Sequence, residues 1–72
     1  MSTATNRPPL ADADLIRLQG ANARAAGVDY FSNPFTSLDR VPAATGEDIG
    51  DWAAKVRAWW DGWEVEDFLR HD

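Results

Sequence analysis

The residues able to do chemistry are concentrated in the last third of the chain. Residues 47–72 carry Glu47, Asp48, Asp51, Asp61, Glu64, Glu66, Asp67 and Asp72 against Lys55, Arg57 and Arg70. Residues 1–46 balance, with Asp12, Asp14, Asp29 and Asp39 against Arg7, Arg17, Arg24 and Arg40. The whole net charge of −5 therefore lies toward the C-terminus. Carboxylates do general acid–base work when burial and a second titrating group push their pKa values apart. Here they fall at ordinary helical spacings on a short chain. His71, next to the last residue, is the single histidine, so no histidine triad or histidine metal cluster can be assembled. The chain has no cysteine, which excludes disulfides, thiolate metal sites and a thiolate nucleophile. Neither glycine-rich phosphate-binding motif is present, and Asp12-Ala-Asp14 does not continue into a calcium loop. No catalytic, cofactor-binding or metal-binding residue is assigned, and the chain reads as a non-enzyme.

Charge and aromatic content leave binding as the available chemistry. A generic nucleic-acid binder presents a basic face, and this chain is acidic. An acidic surface suits docking on a basic protein or mimicry of a polyanion; a solvated helix face is the plainer reading. Tryptophan is the favoured anchor of protein interfaces, and Trp52, Trp59, Trp60 and Trp63 lie within twelve residues. Trp59 and Trp60 point about 100° apart on a helix. Trp52, Trp59 and Trp63 are expected in the core, leaving Trp60 partly exposed.

The elements that must position these residues are helical. No alternating pattern of useful length occurs, so no sheet is expected. Residues 1–9, with Pro8-Pro9, read as a disordered leader, and residues 10–72 as one small helical domain. A first helix begins near Asp12 or Asp14, carries Leu15, Ile16, Leu18 and Ala21, and ends at Gly27 in the manner of a C′ glycine. Gly20 interrupts it, and a mid-helix glycine among several alanines suggests close approach of another backbone; a weak helix with a flexible centre is the plainer reading. Asn33-Pro34 forces an extended or turn conformation. Of Tyr30, Phe31 and Phe35, at least two are expected to pack back, Phe35 between the helices. Ser37–Arg40 reads as a short extra helical turn before Pro42, and Ala43–Gly46 as loop. Thr45 with Asp48 fits a capping-box variant opening the last helix. Along that helix Ile49, Trp52, Ala53, Val56, Trp59, Trp60 and Trp63 draw one apolar stripe. The helix continues through Phe68 and Leu69 or bends at Asp61-Gly62. The fold class is all-α: two helices joined by an ordered aromatic Asn-Pro-Phe loop.

The ordered set Gly20, Ala23, Gly27, Asn33-Pro34-Phe35 and Trp59-Trp60-Asp61-Gly62-Trp63 resembles the ribosome modulation factor family, over about residues 15–66. That family looks like a short helix with spaced glycines and alanines, a turn with proline before an aromatic residue, and a Trp-x-x-Gly-Trp motif on a second helix. Between Phe35 and Trp59 this chain is longer than the family pattern, by a stretch that includes Pro42 to Asp51. It is acidic where the family is strongly basic. The resemblance implies a cytoplasmic, non-enzymatic regulator that binds the ribosome or its RNA and down-regulates translation. Contact with RNA phosphates would fall to Arg7, Arg17, Arg24 and Arg40, with Arg17 and Arg24 about two turns apart on one helix face. The alternative is a small acidic inhibitor, of phage or nucleic-acid-mimic type, that binds a basic protein through Trp60, Asp61, Glu64, Glu66 and Asp67. A homodimer is a further expectation, and no membrane partner is expected.

Overall fold

The computed structural model describes residues 12–70, and among these it is helical with no strand. The leader at residues 1–9, with Arg7, and His71 lie outside the described residues. Helix α1 spans Asp12–Ala25, a short helix α2 spans Pro42–Thr45, and α3 spans Ile49–Arg70 without a break at Gly62. Two 3₁₀ turns, Tyr30–Ser32 and Pro34–Thr36, lie in the connection. The all-α architecture with its aromatic loop is the one the sequence indicates.

Each helix end has a local cause. Asp12 and Asp14 stand in the first turn of α1, where the helix dipole favours negative charge. At the other end Gly27 adopts φ +90°, Val28 N–H donates to the Ala23 carbonyl at 2.9 Å, and Gly27 N–H to the Arg24 carbonyl at 3.0 Å. This is a Schellman closure, and it satisfies carbonyls the helix leaves open. The extra helical turn lies at Pro42–Thr45 rather than at residues 37–40, which form a non-helical turn. Pro42 decides the position. Its φ is pre-set for a helix and its missing N–H costs nothing at the first helical position. Gly46, at φ +76°, ends α2 immediately after Thr45. Thr45 is therefore inside α2 and does not cap α3. Asp48 takes that role, with its Oδ2 accepting from Asp51 N–H at 3.1 Å.

The two long helices run in the same sense. The start of α1, at Asp12 and Ala13, lies beside Asp51 and Ala54; Gly20 meets Trp59; and Arg24 near the end of α1 reaches Asp67. A short link joins antiparallel helices. A parallel pair instead requires the connection to carry the chain back along the bundle, and it does so. Val28 lies at Trp63, Tyr30 at Trp60, Asn33 at Val56 and Phe35 at Trp52.

Helix α3 consequently buries two faces rather than one stripe. Ala58, Trp59 and Gly62 face α1, while Trp52, Val56, Trp60 and Trp63 face the returning loop. Trp59, at 2% exposure, is the largest fully buried side chain among the described residues and clusters with Ile16 and Ala58 as the core between the helices. Trp52 and Trp63 are half-buried, not core as their spacing suggests, because their indole N–H groups must reach loop carbonyls at the rim.

The crossing of α1 and α3 is made by glycine on both sides. A Cβ on Gly20 would lie 2.9 Å from the carbonyl carbon of Trp59 and nearer still to its oxygen. A Cβ on Gly62 would lie 2.9 Å from Arg17 Cα and nearer to the Arg17 carbonyl. Only a residue with no side chain allows backbone to approach backbone this closely.

Candidate functional site

The returning loop is held to α3 by a ladder of indoles. Trp63, Trp60 and Trp52 donate from Nε1 to the carbonyls of Val28, Tyr30 and Phe35, each at 2.8 Å. Their three- and eight-residue separations place them on one face of α3. The loop is thus latched at three of its own carbonyl groups, which loop backbone otherwise surrenders to water.

Asn33 supplies the central rung. It is 3% exposed, and its Nδ2 donates to the Val56 carbonyl at 3.1 Å. Its Oδ1 accepts from Phe35 N–H at 2.9 Å and so caps the Pro34–Thr36 turn. Pro34 holds Asn33 extended, at φ −60° and ψ 117°, which turns the amide toward α3. Phe35 is half-buried against the Ile16–Ala58–Trp59 core, and the Arg40 guanidinium lies 5.7 Å from its ring centroid. Phe31, by contrast, is 85% exposed, so two of the three loop aromatics pack back.

Between this loop and α3 lies an open cleft of about 410 Å³. Tyr30, Trp52 and Trp60 line its aromatic side; Arg57, Asp61 and Glu64 line its charged side. Tyr30 stacks on Trp60 with ring centroids 5.1 Å apart and planes 13° from parallel, and meets Trp63 edge-on at 5.4 Å. Desolvation raises the Tyr30 pKa above its ordinary value, and the negative charge of Glu64, the phenol's hydrogen bond to that carboxylate, and the charge of Asp61 add to the rise. The phenol is therefore a neutral hydrogen-bond donor across the physiological range.

The structure divides the candidate contact residues. Arg17 pairs with Asp14 at 2.6 Å, and Arg24 pairs with Asp67 at 2.7 Å while lying 5.6 Å from the Trp63 ring centroid. Glu66 is taken by Arg70 at 2.6 Å. The acidic rim expected at Asp61, Glu64, Glu66 and Asp67 thus reduces to Asp61 and Glu64, which form no ion pair among the described residues. Arg57 joins them in the cleft, and nothing in its helical spacing distinguishes it from a solvated arginine. Gly20, Ala23, Gly27, Asn33, Pro34, Phe35, Trp59, Gly62 and Trp63 build the scaffold itself. No group of three or more His, Cys, Asp or Glu side chains among the described residues is arranged to hold a metal ion. No helix among them is long and apolar enough to cross a membrane. No family model, curated protein or solved structure matches the chain.

Proposed function

We propose that this chain is a non-enzymatic regulator that binds the ribosome and down-regulates translation, docking through the α3 cleft on a basic protein surface. The observation that carries the docking mode is the disposition of charge. Arg17 and Arg24 are spent in ion pairs, whereas Asp61 and Glu64, beside Tyr30 and Trp60, form no ion pair among the described residues. Phosphate binding depends on available Lys and Arg. An acidic rim around aromatic side chains instead suits a basic partner, with charge setting the on-rate and the aromatics the affinity. The ribosome as target rests on the resemblance carried by Gly20, Gly27, Asn33-Pro34-Phe35 and Trp59–Trp63. The net charge of −5 favours a second reading, an acidic inhibitor of a basic nucleic-acid-binding protein.

Co-sedimentation with ribosomal subunits separates these readings, using variants checked for helicity by circular dichroism. The parent chain and Arg17→Glu should sediment with the subunits, and Asp61→Lys/Glu64→Lys should not. Loss on Arg17→Glu with tolerance of the α3 changes transfers the contact to RNA phosphate. Absence of co-sedimentation by the parent chain removes the ribosome and leaves the acidic inhibitor.

A further inference from the structure

The charges in the cleft are ordered along α3. Arg57 lies one turn before Asp61 and two turns before Glu64, and all three line the same cleft as Tyr30, Trp52 and Trp60. None of the three is in an ion pair among the described residues. The cleft therefore offers two carboxylates that lack an ion-pair partner among the described residues, Glu64 hydrogen-bonded by the Tyr30 hydroxyl, and one guanidinium a turn before them, with an aromatic wall alongside.

A group complementary to the carboxylate end is a cation, and the wall selects which cation. A planar guanidinium stacks on aromatic rings, is weakly hydrated and takes carboxylates in a two-pronged grip. An ammonium is a compact and strongly hydrated charge that gains less from such a wall. The Tyr30 ring is pinned for this purpose, stacked on Trp60, whose own indole is tied to the Tyr30 carbonyl. A recognition surface held in advance loses little conformational entropy on binding. At the other end Arg57 repels a second cation and attracts an anion. Specificity of this kind comes from the repulsive element as much as from the attractive one.

We propose that the cleft receives a single arginine side chain of a partner protein, one flanked by an acidic residue, with Tyr30 and Trp60 as its wall, Asp61 and Glu64 as its counter-charges and Arg57 excluding arginine-rich tracts. This rests on the docking mode proposed above and adds the side chain that is recognised. It also separates this chain from a polyanion mimic, which prefers whichever partner is most basic.

The test is a titration of the full chain, followed through the indole N–H resonances, with three blocked peptides. They are Gly-Gly-Arg-Glu-Gly, the same peptide with lysine for arginine, and Gly-Arg-Arg-Arg-Gly. The Arg-Glu peptide should give saturable shifts at Trp60 and Trp52 and bind more tightly than either of the others. Asp61→Asn/Glu64→Gln should weaken it about tenfold, the scale of one lost charged hydrogen bond. Arg57→Gln should raise the affinity for the triple-arginine peptide about fivefold, the reach of one exposed charge contact. Tightest binding of the triple-arginine peptide by the parent chain overturns the proposal. So does equal binding of the lysine peptide, indifference to Asp61→Asn/Glu64→Gln, or the absence of saturable shifts. Should the peptides fail while Asp61→Lys/Glu64→Lys still abolishes ribosome co-sedimentation, the arginine assignment falls and the docking mode stands. Should that variant sediment like the parent, the docking mode itself falls.

Discussion

Gly62 lies directly against the Arg17 carbonyl, backbone on backbone, and this contact sets how closely α1 and α3 cross. Gly20 makes the reciprocal approach to Trp59. Alanine is the better helix former by about 1 kcal/mol. In an open helix, Gly62→Ala would therefore stabilise. Here the added methyl meets main chain that cannot move without parting the helices, and overpacking typically costs about 1–3 kcal/mol. Gly62→Ala and Gly20→Ala should each lower the urea midpoint. Gly50→Ala, whose Cβ would meet only the end of the Asp48 side chain at 3.0 Å, should cost less than either. A rise in midpoint for Gly62→Ala refutes the crossing.

The two kinds of tryptophan should separate in stability measurements. Trp59 is 2% exposed, and truncating a buried aromatic costs about 3–5 kcal/mol. Trp59→Ala should abolish cooperative thermal unfolding in a domain this small. Trp63→Ala removes a half-buried ring, one loop tie and the surface under Arg24, and should cost less. Equal losses for the two variants would contradict the two-face account of α3.

Trp60→Phe isolates the latch. It keeps an aromatic ring for Tyr30 to stack on and removes the N–H that reaches the Tyr30 carbonyl. The expected loss is about 1 kcal/mol, the net worth of one neutral hydrogen bond. Amide exchange should accelerate across residues 28–36 and remain near parental values at Ile16 and Ala58. Uniform acceleration through both helices would show that the loop does not open separately.

Asn33→Ala should cost about 1–3 kcal/mol, because it leaves the Pro34–Thr36 turn uncapped and the Val56 carbonyl without its buried side-chain donor. Asn33→Asp should be worse, since an oxygen then faces the Val56 carbonyl. An aspartate variant as stable as the parent in a denaturant titration would remove Asn33 from the fold's supports.

Tyr30 is the only tyrosine in the chain, so an ultraviolet titration of the phenol reports on it alone. Desolvation first, and then Glu64 and Asp61, hold its ionisation above the ordinary 10.0. The native state thus keeps a proton that the unfolded chain has already lost. The corresponding stability is complete below pH 10.0 and is lost as pH rises toward the native value. Glu64→Gln should move the native inflection down toward 10.0, and Tyr30→Phe should flatten this part of the stability profile. An unshifted inflection in the parent chain would place the phenol outside the acidic rim.

Helix content, the Gly27 closure and the turn at Asn33-Pro34 were determined by the sequence, because each rests on local backbone preference. Glycine takes positive φ, proline restricts the residue before it, and three- and four-residue apolar spacings require a helix. The close approach of another backbone at Gly20 was also legible, from a mid-helix glycine among alanines, although not that this backbone is Trp59's, nor the reciprocal approach of Gly62 to Arg17. The sequence places the extra helical turn at Ser37–Arg40 and the cap of α3 at Thr45, whereas the structure has them at Pro42–Thr45 and Asp48. Pro42, Thr45 and Asp48 all carry start signals, and which of them act depends on where Gly46 interrupts. Tertiary structure alone decided the parallel sense of α1 and α3, because direction depends on how far the connection travels before the next helix starts. From that choice followed the second buried face of α3 and the indole ladder, since only a returning loop brings carbonyl groups to Trp52, Trp60 and Trp63. The pairing of Arg24 with Asp67 was decided in the same way. The two residues are 43 apart in sequence, and charge patterning along one helix holds no information about a partner on another. The same packing left Arg57, Asp61 and Glu64 together in the cleft, without an ion pair among the described residues.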